Sequence, residues 1–132
     1  MRCYISRVET STHFELPEPS AWLSIPEAAD LLGVRQRDVR SMLTEHALVA
    51  VRRGENNALA ICGGEFVEKG GEIVALPALR GTLIQLADAG FSDDEALAWL
   101  LAPNEFLGLA PLDSLRQGNV KAVRRAIQFL AF

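Results

Sequence analysis

Residues 35–44 hold a set of side chains suited to reading a nucleic-acid duplex: Arg35, Gln36, Arg37, Arg40, Ser41 and Thr44. Guanidinium groups bond guanine edges and phosphate oxygens, amides pair with adenine, and hydroxyls reach phosphate. Arg52 and Arg53 follow shortly after. No GxSxG, phosphate-cradling loop, HExxH or paired His/Cys cluster occurs in the chain, so no catalytic residue, metal ligand or cofactor is expected. Asp93-Asp94-Glu95 reads as the acidic start of a helix, and His46 as a residue favoured near a helix end.

These side chains need elements that hold them in one place. In LSIPEAADLLGV, Ile25, Ala28, Ala29, Leu31 and Leu32 recur at helical spacing. Ser24 can cap that helix, with Pro26 and Glu27 in its first turn and Gly33 at its end. Val34 is expected to plug the gap to a second helix, in which Val39, Met42 and Leu43 face inward and the arginines stay outside. That is a helix-turn-helix, whose second helix enters a major groove. Leu48–Val51, extended by Arg52 and Arg53, then predicts a strand; Gly54–Asn57 a turn; and Ala58–Cys62 a return strand. A hairpin placed there is a wing, and its arginines would lie near phosphate or a minor groove. In EFVEKGG a short helical turn is expected, with Phe66 packed on the hairpin.

Charge supports the same segment. The chain of 132 residues has a net charge of −4, which argues against a generic polyanion binder. Residues 34–53, however, carry five arginines against two acids, a local +3, whereas residues 1–33, 54–76 and 77–132 are each net negative. Affinity for DNA follows local phosphate contacts more than total charge. Arg124 and Arg125 form a second basic spot, read first as a solvated helix end and second as an added phosphate contact.

The flanking regions differ in kind. Residues 1–21 read as a polar, flexible tail, ending in the extended ELPEPS and leaving room for a short docked strand. Residues 22–72 form the winged unit and residues 73–132 a helical bundle domain. Helices are expected over Leu76–Ala89, after Ser92 with Ala96, Leu97, Trp99, Leu100 and Leu101 inward, from Pro111, and after Asn119. Phe129, Leu130 and Phe132 need a cover: the chain's own core, or a homodimer seam as the sharper alternative. Trp22 and Trp99 read as core or interface aromatics, and Cys3 and Cys62 as reduced thiols. The fold class is therefore mainly α with a small β-hairpin. With no apolar run long enough to cross a bilayer and no signal-like start, a cytoplasmic protein and no membrane partner are expected.

WLSIPEAADLLGV, LVAVRR, GGEF, LPALRGTLIQLADAGFSDDEALAWLLAPN and VKAVRRAIQFLAF together resemble an actinobacterial, mycobacterial-type family of winged helix-turn-helix DNA-binding proteins known as Ser/Thr-kinase substrates. The resemblance spans almost everything after the tail. It implies double-stranded DNA as partner, a role as a transcriptional regulator at the nucleoid, and a family-specific helical domain. It also implies a Ser/Thr protein kinase as second partner, with Thr10, Ser11 and Thr12 as phosphorylation candidates whose modification weakens binding. The stretch LAPNEFLGLAPLDSLRQGN is similar to partner-binding domains of some antitoxins, and PEAADLLGV-type strings occur in excisionases. The alternative function is accordingly a protein-interaction module whose helical half docks a protein.

Overall fold

A computed structural model describes residues 16–130. Thr10, Ser11, Thr12 and Cys3 lie outside the described residues. The described chain opens with strand β1 (Trp22–Leu23), followed by helices α1 (Ile25–Leu32) and α2 (Gln36–Thr44). The Ser24 hydroxyl accepts from the Glu27 N–H at 3.2 Å, and the Glu27 carboxylate accepts from the Ser24 N–H at 2.8 Å. This reciprocal cap starts α1 in register, and Gly33, at φ 72°, ends it. Ala28, Ala29 and Val39 are buried where the two helices meet. Contrary to expectation, Val34 does not plug the crossing: it is 40% exposed, and the buried side chains there are Ala28, Ala29 and Val39.

Strands β2 (Ala50–Arg53) and β3 (Ala58–Cys62) form the wing hairpin; β3 has the expected limits, and β2 starts two residues later than the expected Leu48. β1 adds to the far side of β3, giving a three-stranded antiparallel sheet in the order β1-β3-β2. One face of this sheet carries Leu23, Leu59 and Ile61 toward α1, and the other carries Trp22, Val51 and Cys62. The backbone of residues 18–21 is docked beside this sheet: Gly63 N–H donates to the Ala21 carbonyl at 2.7 Å, and the Cys62 thiol donates to the Pro19 carbonyl at 3.2 Å. Burial pushes that thiol's pKa up. A side chain at Gly63 would collide with the Glu18 carbonyl.

The EFVEKGG stretch corrects the sequence reading. A 3-10 turn covers only Gly63–Glu65, and Phe66–Lys69 is strand β4, paired with strand β5 (Glu72–Ala75). Gly70 and Gly71, at φ 61° and 82°, supply the left-handed pair that a two-residue hairpin turn requires. Period-2 alternation with a Gly-Gly turn outweighs helical propensity here. The expected division at residue 72 falls inside this second hairpin.

Four helices complete the chain: α3 (Leu79–Asp88), α4 (Asp93–Leu101), α5 (Pro111–Arg116) and α6 (Val120–Leu130). In α4 the inward residues are Ala96, Leu97 and Leu100; Leu101 is 38% exposed and Trp99 half-buried, so the apolar stripe is narrower than expected. α4 lies against β2, and α5 packs on the 3-10 turn. There Arg116 Nη1 donates to the Gly64 carbonyl at 2.9 Å and the Phe66 carbonyl at 2.6 Å. One continuous core, including Ile25, Leu48, Ile61, Phe66, Leu79, Leu97, Leu115 and Ile127, joins the winged and helical parts. The architecture is mainly α, a winged helix-turn-helix followed by a helical bundle.

Glu65 sits inside that core, fully buried. Its two carboxylate oxygens accept from the Val49 N–H at 2.8 Å and the Cys62 N–H at 3.1 Å, tying the entry of β2 to the exit of β3. Removal from water outweighs those two bonds and pushes its pKa up to about 8. Nothing in the spacing of the sequence marks this acid as internal. No helix among the described residues is long and apolar enough to cross a membrane.

Candidate nucleic-acid interface

The exposed side of α2 presents Gln36, Arg37, Arg40, Ser41 and Thr44, while Val39 is fully buried and Met42 and Leu43 are partly buried. Helical periodicity alone produces this split. Arg35 stands at the N-cap, one residue before the helix. Asp38 Oδ2 accepts from the Arg35 N–H at 3.1 Å and from Arg35 Nε at 3.3 Å. Those bonds, the backbone one foremost, hold the Asp38 carboxyl below its usual range. Arg35 is thus partly committed to the helix start, whereas no carboxylate among the described residues pairs with Arg37 or Arg40.

Thr44 donates its hydroxyl to the Arg40 carbonyl at 3.1 Å. That is the local bond Thr makes inside helices, and it leaves Thr44 only a lone pair to offer outward. His46 follows α2 in a left-handed conformation, φ 65°.

The wing separates its two arginines. Arg52 stands opposite Leu59 in the register, on the α1 side of the sheet, and donates from Nη1 to the Asn57 carbonyl at 3.0 Å. Together with Arg40, Ser24, Ile25, Pro26 and Leu59 it lines an open cleft of about 280 Å³. Arg53 stands opposite Ala58 and lies over the ring of Trp22, its guanidinium carbon 4.1 Å from the centroid. It borders a second cleft, against Asp94, Leu97 and Leu101 of α4, whose rim Arg52 also reaches. Strand alternation requires this division, and the expectation that both arginines act together meets a sheet with two faces.

The geometry therefore joins Arg37, Arg40 and Arg52 into one cationic surface, with Gln36 and Ser41 between or beside them. Because the capping box already occupies donors in the first turn of α1, anion binding in the cleft rests on the two guanidiniums. Guanidinium groups of this kind bond phosphate oxygens, and Arg40 and Arg52 bring two of them to one cleft from different elements. Sequence reasoning did not find the Arg53–Trp22 stack, since it depends on β1, a strand of two residues with no pattern of its own.

Two family models match the chain: one described as "DNA-binding protein Rv2175c, wHTH domain" over residues 11–59, and one described as "Rv2175c C-terminal domain of unknown function" over residues 76–131. The sequence is 32% identical over 120 residues to the DNA-binding protein Rv2175c of Mycobacterium tuberculosis, covering 82% of this chain and 79% of that protein. A solved structure, the NMR structure of Rv2175c, superimposes with a TM-score of 0.73 at 29% identity, covering 89% of this chain and 86% of the other.

Proposed function

Since the chain belongs to the family of winged helix-turn-helix proteins represented by the DNA-binding protein Rv2175c of Mycobacterium tuberculosis, we propose that it too binds double-stranded DNA and acts as a transcriptional regulator at the nucleoid. In this reading Gln36, Arg37 and Ser41 address base edges or adjacent phosphate in the major groove. Arg40 and Arg52 grip the backbone, Arg35 and Thr44 support the helix that carries the readers, and Arg53 steadies the wing through Trp22. The observation that carries the reading is the convergence of Arg40 and Arg52 on one cleft from different elements. A solvated helix face and a wing built only for stability would have no reason to meet there.

The same proposal includes an N-terminal tail ahead of the docked residues 18–21, a winged unit, and a helical unit that follows the hairpin ending at Ala75. Phosphorylation of Thr10, Ser11 or Thr12 by a Ser/Thr kinase would add about −1.5 to −2 charges each, enough to oppose a patch of only +3. Binding-site selection from random duplexes tests the reading. Enrichment of a common motif supports it, and the motif's symmetry reports whether one copy or two bind; recovery of unselected sequence contradicts it.

A second reading, of the helical half as a protein-docking surface, is favoured by one feature. Phe106 and Phe129 are 54% and 65% exposed and stack edge to face with centroids 5.2 Å apart, beside the exposed Leu130. A homodimer through these helices would cover them, and mass measurement in solution decides it.

A further inference from the structure

Residues 77–132 carry five bases and six acids, so their sequence looks neutral. Folding sorts these charges. Lys121, Arg124 and Arg125 are all exposed on α6, on the side away from the buried Val123, Ala126 and Ile127. Arg124 then meets α3: its carbonyl accepts from Gln85 Nε2 at 3.2 Å, and its Nη2 lies 3.9 Å from where a side chain would begin at Gly81. Gly81 adjoins Arg80, which is exposed and donates from Nε to the Glu45 carbonyl at 3.1 Å. Glu45 is the residue that ends α2. A line of cations therefore begins at the far end of the reading helix with Arg80 and continues through Arg124 to Arg125 and Lys121.

Two properties of this line point to an anionic partner. Arg80 and Arg124 gather at the first turn of α3, the positive end of a ten-residue helix, where cations are disfavoured. Among the described residues no carboxylate pairs with either of them, nor with Lys121 or Arg125. Arg80 is offset by the Glu45 carbonyl at the end of α2, but these cations have no carboxylate partner among the described residues, and a bound phosphate would neutralise them. Of the three acids that open α4, Asp94 borders the Arg53 cleft beside the wing sheet.

We propose that the helical half is a second DNA-contacting element, in which Arg80, Arg124, Arg125 and Lys121 hold backbone phosphates of the same duplex that α2 enters. This rests on the duplex-binding reading above and extends it to the part of the family described only as a domain of unknown function. Arg80, seated on the α2 terminus, fixes how far the second contact lies from the first.

The test compares full-length wild type with Arg124→Gln and with the combined Lys121→Gln, Arg124→Gln, Arg125→Gln variant. Affinity for a fluorescent duplex of about 25 base pairs is followed across salt concentration. The logarithmic salt slope should become shallower by about one ion equivalent in the single variant and by about two in the combined one, with affinity falling about tenfold or more in the latter. Melting temperature should stay nearly level, since the replaced side chains are exposed. Slopes equal to wild type in both variants overturn the proposal. An Arg40→Ala, Arg52→Ala variant in the same assay separates the two readings. If it loses affinity while the α6 variants keep theirs, only the second contact is wrong; if it also behaves as wild type, the α2 surface fails with it.

Discussion

Arg52 and Arg53 are adjacent in the chain and lie on opposite faces of the wing sheet, one beside Arg40 and the other over Trp22. Arg52→Ala is expected to weaken duplex binding and reduce the salt slope by about one ion equivalent. Arg53→Ala should leave the slope unchanged and instead lower stability by about 0.5–1 kcal/mol, the usual worth of a partly exposed cation–aromatic contact. Salt titration and urea unfolding of both variants check this. Equal loss of slope in the two would mean that the wing acts as a single basic loop.

His46 holds a left-handed backbone that glycine adopts without strain. Its conformation lets the Ala47 N–H return to the Met42 carbonyl at 2.8 Å and closes α2. His46→Gly should therefore stabilise the fold by about 0.5–1 kcal/mol, after the greater freedom of glycine in the unfolded chain is set against the relieved strain. Urea unfolding measures it; a destabilised variant would show that the imidazole makes packing contacts worth more than the strain.

Much of this fold was legible because its signals are local. Ser24 with Glu27, Ser92 with Glu95, Gly33, the Gly54–Asn57 turn and the inward Val39 each follow from residue type and spacing. What was not legible depends on contacts distant in sequence. Trp22 joins a sheet only because β3 is there to pair with it, and Arg53 turns away from Arg52 only because Trp22 is there to receive it. Phe66–Lys69 looked helical because Glu and Lys are good helix formers, but Ile73 and Val74 across the Gly-Gly turn supplied a partner strand. Of the reading surface, the arginines of α2 were evident from helical spacing; the cleft shared by Arg40 and Arg52 needed three dimensions.

Glu65 makes stability depend on pH. The folded state raises its pKa from an ordinary 4.5 to about 8, so between those values the native chain binds a proton that the unfolded chain has released. Stability should fall as pH rises through that interval, by up to about 1.4 kcal/mol per unit, and level off above pH 8. Glu65→Gln keeps one acceptor and loses the other, leaving a buried N–H unpaired at a cost of about 1–3 kcal/mol. Urea unfolding at pH 5.5 and 8 should show that the variant lacks the wild-type decline. Parallel curves for the two proteins would mean that Glu65 is ionised in the fold.

The proposed tail switch is electrostatic. Thr10→Glu with Thr12→Glu should weaken duplex binding at low salt, and the difference should shrink as salt screens it. Equal affinity of mimic and wild type at every salt concentration removes the switch.

The most direct measurement is duplex affinity of the Arg37→Ala, Arg40→Ala double variant beside its melting temperature. Both side chains are exposed and unpaired with carboxylates among the described residues, so their loss should leave melting nearly unchanged. The account predicts abolished duplex binding by a folded protein. Wild-type affinity in that variant would contradict it and show that α2 is not the reading helix.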